Sequence, residues 1–445
     1  MMSMMESNKG PGRGAGVSAI GVIALATALM AAGTAFGQTD LGSLPGVSAP
    51  GAYGDVVNTG ATAASSTQRA LQPPRGVTSD AATGLRASVG IGATRNSNPR
   101  RVPEGQEESD TSYVLNPAIS YGGELGRHLY ELGYSAGYQW YDEFDSEDSE
   151  YQRLAAALQL DLTRILLADL YASRVDGQER RGLSGSREIG LDEELDEFQV
   201  DTVGGRITLG RRANLLQIYV GAETNQIEFT NNNQGLRDRD QDILEAGLFF
   251  NVGPATSLFV HARRSDNDYV FGNPGLDNTE DALTAGVTWE ATEAISVTLE
   301  GGQLEKEYDD PGIEGFDGTT YLGKILWRPR ERTSMSLYAS RTTEESGAAG
   351  SAFYVSEVAG IDLTQRIGER LSVTLHYASA DDEYDNGRVD DIRDYGIALG
   401  YGLFPWMDVG LSHAIVDRES TDPDNDYKDE VTSIFVVIRP RLGSE

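Results

Sequence analysis

The chain has 445 residues, of which 69 are acidic and 36 basic, so its formal net charge is -33 at pH 7. This excess of acid argues against a nucleic-acid partner, because phosphate binding requires clustered Lys and Arg. The sequence contains no cysteine, so neither a disulfide-stapled fold nor a lipoprotein anchor is available to it. Hydrophobic residues make up only 39% of the chain, which argues against a bundle of membrane-spanning helices.

The N-terminal residues have the pattern of a secretory signal peptide. Lys9 and Arg13 precede the apolar run Val17 to Ala32, and Ala35-Phe36-Gly37 supplies a small-x-small cleavage site. We therefore predict a cleavable signal peptide over residues 1–37. A retained N-terminal anchor is the alternative.

Residues 38–82 are rich in Gly, Ala, Ser, Thr and Pro and lack periodicity. This composition predicts a flexible periplasmic lead segment. It is too short for a folded plug, which disfavours a plugged TonB-type receptor. Residues 83–445 are predicted to form one outer-membrane β-barrel.

Apolar residues alternate with small or polar ones in strand-length pieces from about Thr83 to Arg439. Side chains of a strand point to opposite faces with period 2, so each piece has one apolar face. The alternation and the turn residues between the pieces predict about 18 strands, within a range of about 16 to 18. One of the clearest pieces has apolar side chains at Leu283, Ala285, Val287 and Trp289.

The connectors between the predicted strands differ in length by parity. Tight links such as Thr163-Arg164-Ile165 and Pro405-Trp406 follow even-numbered strands, whereas long ones such as Gln178 to Glu197 and Glu383 to Ile392 follow most odd-numbered strands. Bacterial outer-membrane barrels have short periplasmic turns and longer extracellular loops. The pattern predicts an all-β fold, a transmembrane antiparallel up-and-down β-barrel with long acidic extracellular loops. A soluble sandwich or a propeller is the alternative.

Charged residues also occur on the face that would point into the barrel. Arg or Lys facing lipid at mid-membrane would cost about 2 to 4 kcal/mol, so these residues are expected to face a water-filled lumen. Their mixed signs suggest a weakly selective passage, although pairing along the wall is the simpler explanation for any single residue. The candidates for lining the lumen are Glu131, Arg153, Asp161, Asp169, Arg206, Glu223, Glu245, Arg263, Glu300 and Lys324.

Aromatic residues lie near the ends of the predicted strands. Amphipathic rings prefer the headgroup level of a membrane, where they form girdles around a barrel. The girdle candidates are Tyr130, Tyr138, Trp140, Trp289, Trp327, Tyr401 and Trp406.

The long loops are acidic, and one of them begins like a calcium loop. Asp422, Asp424 and Asp426 have the right spacing, but no Gly follows and Ser433 occupies the position of the closing Glu. We expect no metal and no cofactor here. Solvated charge is the default reading, and divalent bridging to lipopolysaccharide is the alternative.

No catalytic residues are predicted, and the chain is not expected to be an enzyme. The four histidines lack metal-ligand spacing, and neither Gly-x-Ser-x-Gly nor His-Glu-x-x-His occurs. If the barrel carried a hydrolase site, His261 or His376 would be the candidate base.

Two hairpin segments are similar in character, Trp327 to Arg341 and Arg366 to Ser379. With these segments, a signal peptide and about 18 strands, the chain from about Leu85 onwards resembles the outer-membrane family called putative β-barrel porin 2. Members of that family are often encoded with exopolysaccharide or capsule synthesis machinery. The resemblance implies passage of polysaccharide across the outer membrane of a Gram-negative bacterium, with a periplasmic polysaccharide-export protein as partner. The chain departs from the usual pattern in lacking a final aromatic residue, for which Phe435 could substitute.

Two classes of function remain from the sequence. The first is a transport protein, either an exopolysaccharide conduit or a general diffusion porin. The second is a structural or surface-binding barrel that acts through its acidic loops. An open, conductive lumen would favour the first class and a closed one the second.

Overall fold

The computed structural model describes residues 84–270, 274–292 and 294–440. The predicted signal peptide, at 1–37, and the lead segment, at 38–82, lie outside these residues. No helix in the described part of the chain is long and apolar enough to cross a membrane.

Eighteen strands of 12 to 16 residues account for most of the described chain. They are β1 (Gly84–Asn96), β2 (Asp110–Leu125), β3 (His128–Tyr141), β4 (Ser149–Asp161), β5 (Leu166–Glu179), β6 (Asp196–Leu209), β7 (Leu216–Phe229), β8 (Arg239–Gly253), β9 (Thr256–Tyr269), β10 (Asn278–Thr292), β11 (Ile295–Tyr308), β12 (Phe316–Arg330), β13 (Thr333–Glu345), β14 (Phe353–Ile367), β15 (Leu371–Tyr384), β16 (Val389–Phe404), β17 (Met407–Ser420) and β18 (Tyr427–Ile438).

Each strand pairs antiparallel with the strands before and after it, and β1 pairs with β18. Val89 lies opposite Ile438, and Asn96 lies opposite Val431. The sheet therefore closes on itself and leaves no free edge. This confirms the predicted antiparallel barrel of 18 strands.

The connectors alternate in length largely as predicted, and the end with the longer loops is here called the extracellular end. Two connectors differ from the sequence interpretation. The loop expected from Glu383 to Ile392 is a turn of residues 385–388, because β15 and β16 both extend into it. The turn between β6 and β7 lies at the end opposite the extracellular loops and spans residues 210–215. It is as long as the extracellular loop at residues 421–426.

Contacts between strands two apart identify the inner face of the barrel. Tyr171 Oη donates to Glu223 Oε2 at 2.6 Å, from β5 to β7. Arg206 Nη2 lies 2.5 Å from Glu245 Oε1, from β6 to β8. Side chains converge in this way on the concave side of a closed sheet, so these residues and their register partners face the lumen.

The opposite face carries an apolar band. On β10 the outward side chains are Leu283, Ala285, Val287 and Trp289, directly below Asp281. An apolar outer band with a polar interior is the pattern of outer-membrane barrels. Above the band, towards the extracellular end, outward carboxylates recur on neighbouring strands at Asp176, Asp201, Glu228, Asp242, Asp266, Asp281, Glu305 and Asp317.

Four extracellular loops share one backbone device. In each, a short 3₁₀ turn is followed by an Asp whose carboxylate accepts the N–H of a residue at the end of the preceding strand. The pairs are Tyr141 with Asp148, Phe229 with Asp238, Tyr269 with Asp277 and Ser420 with Asp426, at 2.5 to 2.7 Å. Part of the acidic character of the loops is therefore structural.

Candidate functional site

The loop between β5 and β6, residues 180–195, is here called the crossing loop, because it reaches the opposite wall of the barrel. The Gly182 carbonyl accepts hydrogen bonds from Arg418 Nη1 at 3.0 Å and from Tyr427 Oη at 3.0 Å. Gly185 donates its backbone N–H to Tyr384 Oη at 3.0 Å. In a ring of 18 strands, β15, which carries Tyr384, is opposite β6, whereas Arg418 and Tyr427 are on β17 and β18, about a third of the way round from β5. The loop therefore crosses the lumen at its extracellular end.

Two glycines allow the crossing loop to approach the far wall closely. Gly182 has φ +61° and Gly185 has φ +69°, in the left-handed region that favours glycine. A Cβ on Gly182 would lie 2.9 Å from Tyr427 Cε1. A side chain at this position would therefore be strained and would push the loop away from its anchor.

Ion pairs hold the near side of the crossing loop. Arg237 donates two hydrogen bonds of 2.9 Å to the carboxylate of Glu179, the last residue of β5. Arg187, within the loop, pairs with Asp196 at 2.7 Å, and this hydrogen bond is the main cause of the raised pKa of Arg187. The Glu179 and Asp196 side chains are fully buried. Bidentate, charge-assisted bonds of this kind fix geometry strongly.

One arginine folds the crossing loop on itself. Arg181 donates to the carbonyls of Ile189 and Gly190 at 2.7 Å each and to Glu147 at 2.6 Å. Leu183 and Ser184 are 6% and 5% exposed. Most loops run over the protein surface. A loop with such burial and internal bonding is instead an ordered structural part of the lumen.

The tip formed by β13 and β14, residues 342–356, leans inward beside the crossing loop. On the extracellular side, the pairing of β12 with β13 stops at Tyr321 and Arg341. Residues 342–345 of β13 are therefore not paired with β12. Glu345 receives Lys306 Nζ at 2.5 Å and Tyr269 Oη at 2.9 Å. The N–H of Gly347 donates to the Gly185 carbonyl at 2.7 Å, which joins the tip to the crossing loop.

The strand register places the ten predicted lumen residues on the inner face. Most make polar contacts there. The contacts are Glu131 with Arg86 at 2.7 Å, Asp161 with Arg211 at 2.7 Å, Asp169 with Gln159 at 2.9 Å, Arg206 with Glu245 at 2.5 Å, Glu223 with Tyr171 at 2.6 Å, Arg263 with Glu280 at 2.9 Å, and Glu300 with His261 at 3.6 Å.

Two of the ten differ from the rest. Arg153 is buried. Lys324 is exposed on the inner face and forms no ion pair among residues 84–270, 274–292 and 294–440. Polar contact along the wall, the simpler explanation from the sequence, thus describes eight of the ten.

The sequence interpretation missed the crossing loop, which it placed outside among the acidic loops. The segment Arg180-Arg181-Gly182-Leu183-Ser184-Gly185 differs from the other long loops in combining two Arg, two Gly and an apolar residue. That composition suits a buried, polar-bonded segment. It was the signal in the sequence that the loop folds inward.

Six girdle candidates lie on the outer face, and Trp406 lies in the turn between β16 and β17. Tyr138 and Trp140 are stacked at 5.8 Å near the extracellular end of β3. Tyr130, Trp289, Trp327 and Tyr401 lie towards the other end of their strands. The seven residues thus form two levels along the barrel.

The two histidines considered as candidate bases both lie on the inner face. His376 Nδ1 is 2.6 Å from Asp362 Oδ1, and His261 lies between Glu245 and Glu300 at 3.6 Å from each. Within the described residues, neither ring hydrogen-bonds a Ser or Thr hydroxyl. The arrangement lacks a nucleophile positioned by its base.

The loop that begins like a calcium site uses its carboxylates on the chain itself. Asp422 accepts from Asn425 Nδ2 at 3.1 Å, and Asp426 accepts the Ser420 N–H at 2.5 Å. Among the described residues, no group of three or more acidic or His side chains is placed to hold a metal ion.

Solved structures similar to the chain include a porin and a siderophore receptor. OccK9 (OpdG) from Pseudomonas aeruginosa is 11% identical, with 80% of this chain and 98% of that chain covered and a TM-score of 0.45. A BenF-like porin from Pseudomonas fluorescens Pf-5 is 9% identical, with 80% and 98% covered and a TM-score of 0.46. The siderophore receptor PirA from Acinetobacter baumannii is 8% identical, with 81% of each chain covered and a TM-score of 0.41.

No curated protein matches the chain. A family model does, and it covers nearly the whole described barrel, residues 84–440. The chain belongs to the family described as "Putative beta-barrel porin 2".

Proposed function

We propose that the protein is an outer-membrane channel for small hydrophilic solutes and that the crossing loop sets its size limit. The observation that carries the proposal is the hydrogen bonding of the crossing loop to distant strands, from Gly182 to Arg418 on β17 and Tyr427 on β18, and from Gly185 to β15. A segment fixed at both walls divides the lumen of a wide barrel into narrower passages. The polar inner face supports a water-filled path through it.

Conductance of the purified barrel in planar lipid bilayers tests the proposal. The double variant Arg418→Gln with Tyr427→Phe removes two of the donors to Gly182 and should raise both the conductance and the size of polyethylene glycol that enters the lumen. Arg393→Gln is the matched control, because Arg393 faces outward on β16 and pairs with Asp391 at 2.9 Å.

A heat-modifiability gel of each variant reports whether the barrel is folded. A folded wild-type protein with no conductance would overturn the channel proposal. A folded double variant with unchanged conductance and unchanged polymer exclusion would remove the crossing loop from it. A product that fractionates as a water-soluble protein would contradict the membrane location itself.

Export of exopolysaccharide is the second candidate. It is supported by the wide wall of 18 strands and by the absence of cysteine, since only reversible contacts then hold the crossing loop across the lumen. A periplasmic polysaccharide-export protein would be the partner, and an N-terminal signal peptide would direct the chain to the outer membrane. Deleting the gene and measuring surface polysaccharide tests this role, and an unchanged amount would count against it.

A surface-binding role through the acidic loops is the third candidate. The outward carboxylates above the apolar band lie where lipopolysaccharide headgroups would surround the barrel. If the loops are the working part, the wild-type barrel should fold and insert without conducting, and should bind lipopolysaccharide vesicles in a manner sensitive to a chelator. Conductance in the same preparation would favour the channel instead.

A further inference from the structure

Three aromatic rings form a continuous patch on the inner wall. Tyr219, Phe249 and Phe259 lie on the adjacent strands β7, β8 and β9, and their ring centroids are 5.9 and 5.4 Å apart along the row. The register places Phe249 directly opposite Phe259 and Tyr219 opposite Gly247, with all three side chains inward. We call this patch the aromatic platform. It is an apolar surface on the lumen side of the wall.

The rings lie flat along the wall. A Cβ on Gly247 would be 2.1 Å from the Tyr219 ring, and one on Gly286 would be 2.4 Å from the Phe259 ring. Tyr219 and Phe259 therefore each cover the backbone of a glycine on the next strand, a known way for an aromatic side chain to protect a strand glycine. A ring in this position turns a face, and not an edge, to the lumen.

Polar groups border the platform on its extracellular side. His261 lies two residues beyond Phe259 on β9, and Glu245 lies two residues from Gly247 on β8. The His261 nitrogens are 3.6 Å from carboxylate oxygens of Glu245 and Glu300, at ion-pair distance. The border thus places three polar side chains next to the apolar faces.

Arg206, the guanidinium beside the platform, is already engaged. Arg206 lies over the Tyr219 ring, 4.3 Å from its centroid, and its Nη2 is 2.5 Å from Glu245. Glu223 and Glu300 add further carboxylates to the same stretch of wall. An anionic solute would be repelled here, whereas a neutral one with hydroxyl groups would not.

We propose that the aromatic platform binds an uncharged hexopyranose unit of an oligosaccharide inside the lumen, an inference that rests on the channel function proposed above. A pyranose ring has an apolar C–H face that packs on an aromatic face, as sites for small molecules combine apolar surface with a few polar groups. Its hydroxyl edge would reach His261, Glu245 and Glu300. Phe249 and Phe259 supply the packing surface, because Arg206 covers Tyr219.

The alternative is that the rings only protect wall glycines. This predicts that removing them destabilises the barrel without altering any response to sugars. The test therefore compares sugar responses among variants shown by heat-modifiability to be folded.

Current through the barrel in planar bilayers should be interrupted by at least one of three neutral sugars, maltohexaose, isomaltohexaose and mannohexaose. The double variant Phe249→Ala with Phe259→Ala should weaken that block on the order of tenfold, and Phe249→Tyr should retain it. Phe250→Ala is the matched control, because Phe250 is the next residue on β8 and faces lipid. An oligogalacturonate of similar length should block less than the neutral sugars.

The outcomes separate this inference from the channel proposal. A conducting wild-type barrel that none of the three sugars blocks overturns the inference and leaves the channel intact. Equal block of the wild type and the double Phe variant also overturns it. If the wild type does not conduct, the channel proposal fails, and calorimetric titration of the same sugars into the detergent-solubilised wild type and double variant decides the site independently. Binding lost in the double variant supports the inference, and no binding overturns it.

Discussion

Asp238, the last residue before β8, accepts the backbone N–H of Phe229, the last residue of β7, at 2.6 Å. The loop between the two strands is thereby closed by its own final side chain, and three other loops repeat the arrangement. Burial raises the pKa of Asp238 more than this hydrogen bond lowers it. The buried carboxylate has a structural role, because without it the Phe229 N–H at the end of β7 would have no acceptor.

Replacing Asp238 with Ala should lower the free energy of unfolding by about 1 to 2 kcal/mol, because the Phe229 N–H would lose its acceptor in a buried position. Guanidinium unfolding of the barrel in lipid vesicles measures the change. Asp240→Asn is the control, since Asp240 is exposed and faces outward two residues further along β8. Equal stability of the two variants would show that the capping bond contributes nothing.

Replacing Arg237 with Met should destabilise the near side of the crossing loop. The buried Glu179 carboxylate would lose its bidentate partner, and an unpaired buried charge costs roughly 3 to 5 kcal/mol. Trypsin should then cut at Arg187 faster than in the wild-type protein, because the loop opens more often.

The double variant Arg237→Met with Glu179→Gln separates charge from packing. It should recover part of the lost stability, because no uncompensated charge remains. If Arg237→Met alone resists trypsin as well as the wild type does, the contacts of Gly182 with β17 and β18 hold the loop without this ion pair.

Replacing Lys324 with Glu should shift the channel towards cations. Lys324 is exposed on the inner face without an ion pair in the described chain, so its charge acts directly on ions that pass. We expect the ratio of cation to anion permeability, measured from the reversal potential in a KCl gradient, to rise on the order of threefold. Lys324→Gln should give an intermediate value, and an unchanged reversal potential in both variants would place Lys324 away from the ion path.

The wall of the barrel was predictable from the sequence, and the crossing loop was not. Alternation along segments such as Leu283 to Trp289 directly reflects the period-2 geometry of a strand, which depends only on neighbours in the chain. The position of Gly182 depends instead on Arg418 and Tyr427, which are 236 and 245 positions away. The composition of residues 180–185 can indicate that the loop is buried, but it does not identify partners at that range, so the loop was expected outside with the other acidic connectors.

The inner face was predictable by residue but not by partner. Parity alone placed Glu131 and Glu245 inward, since a charge facing lipid is costly. Their partners Arg86 and Arg206 lie on strands whose register follows from closure of the whole sheet. A shift of one residue in any pairing would have exchanged the two faces, so the ion pairs required the structure.

Replacing Gly247 with Ala tests whether the aromatic rings and the wall glycines depend on each other. The new Cβ would lie 2.1 Å from the Tyr219 ring, so the ring would have to leave its place over β8. We expect a loss of about 1 to 3 kcal/mol in unfolding free energy, as for other overpacked sites. Gly253→Ala on the same strand is the control, because its Cβ would meet no heavy atom within 4 Å. In a Tyr219→Ala background the Gly247→Ala change should cost much less, and an equal cost in both backgrounds would show that the strain comes from the backbone and not from the ring.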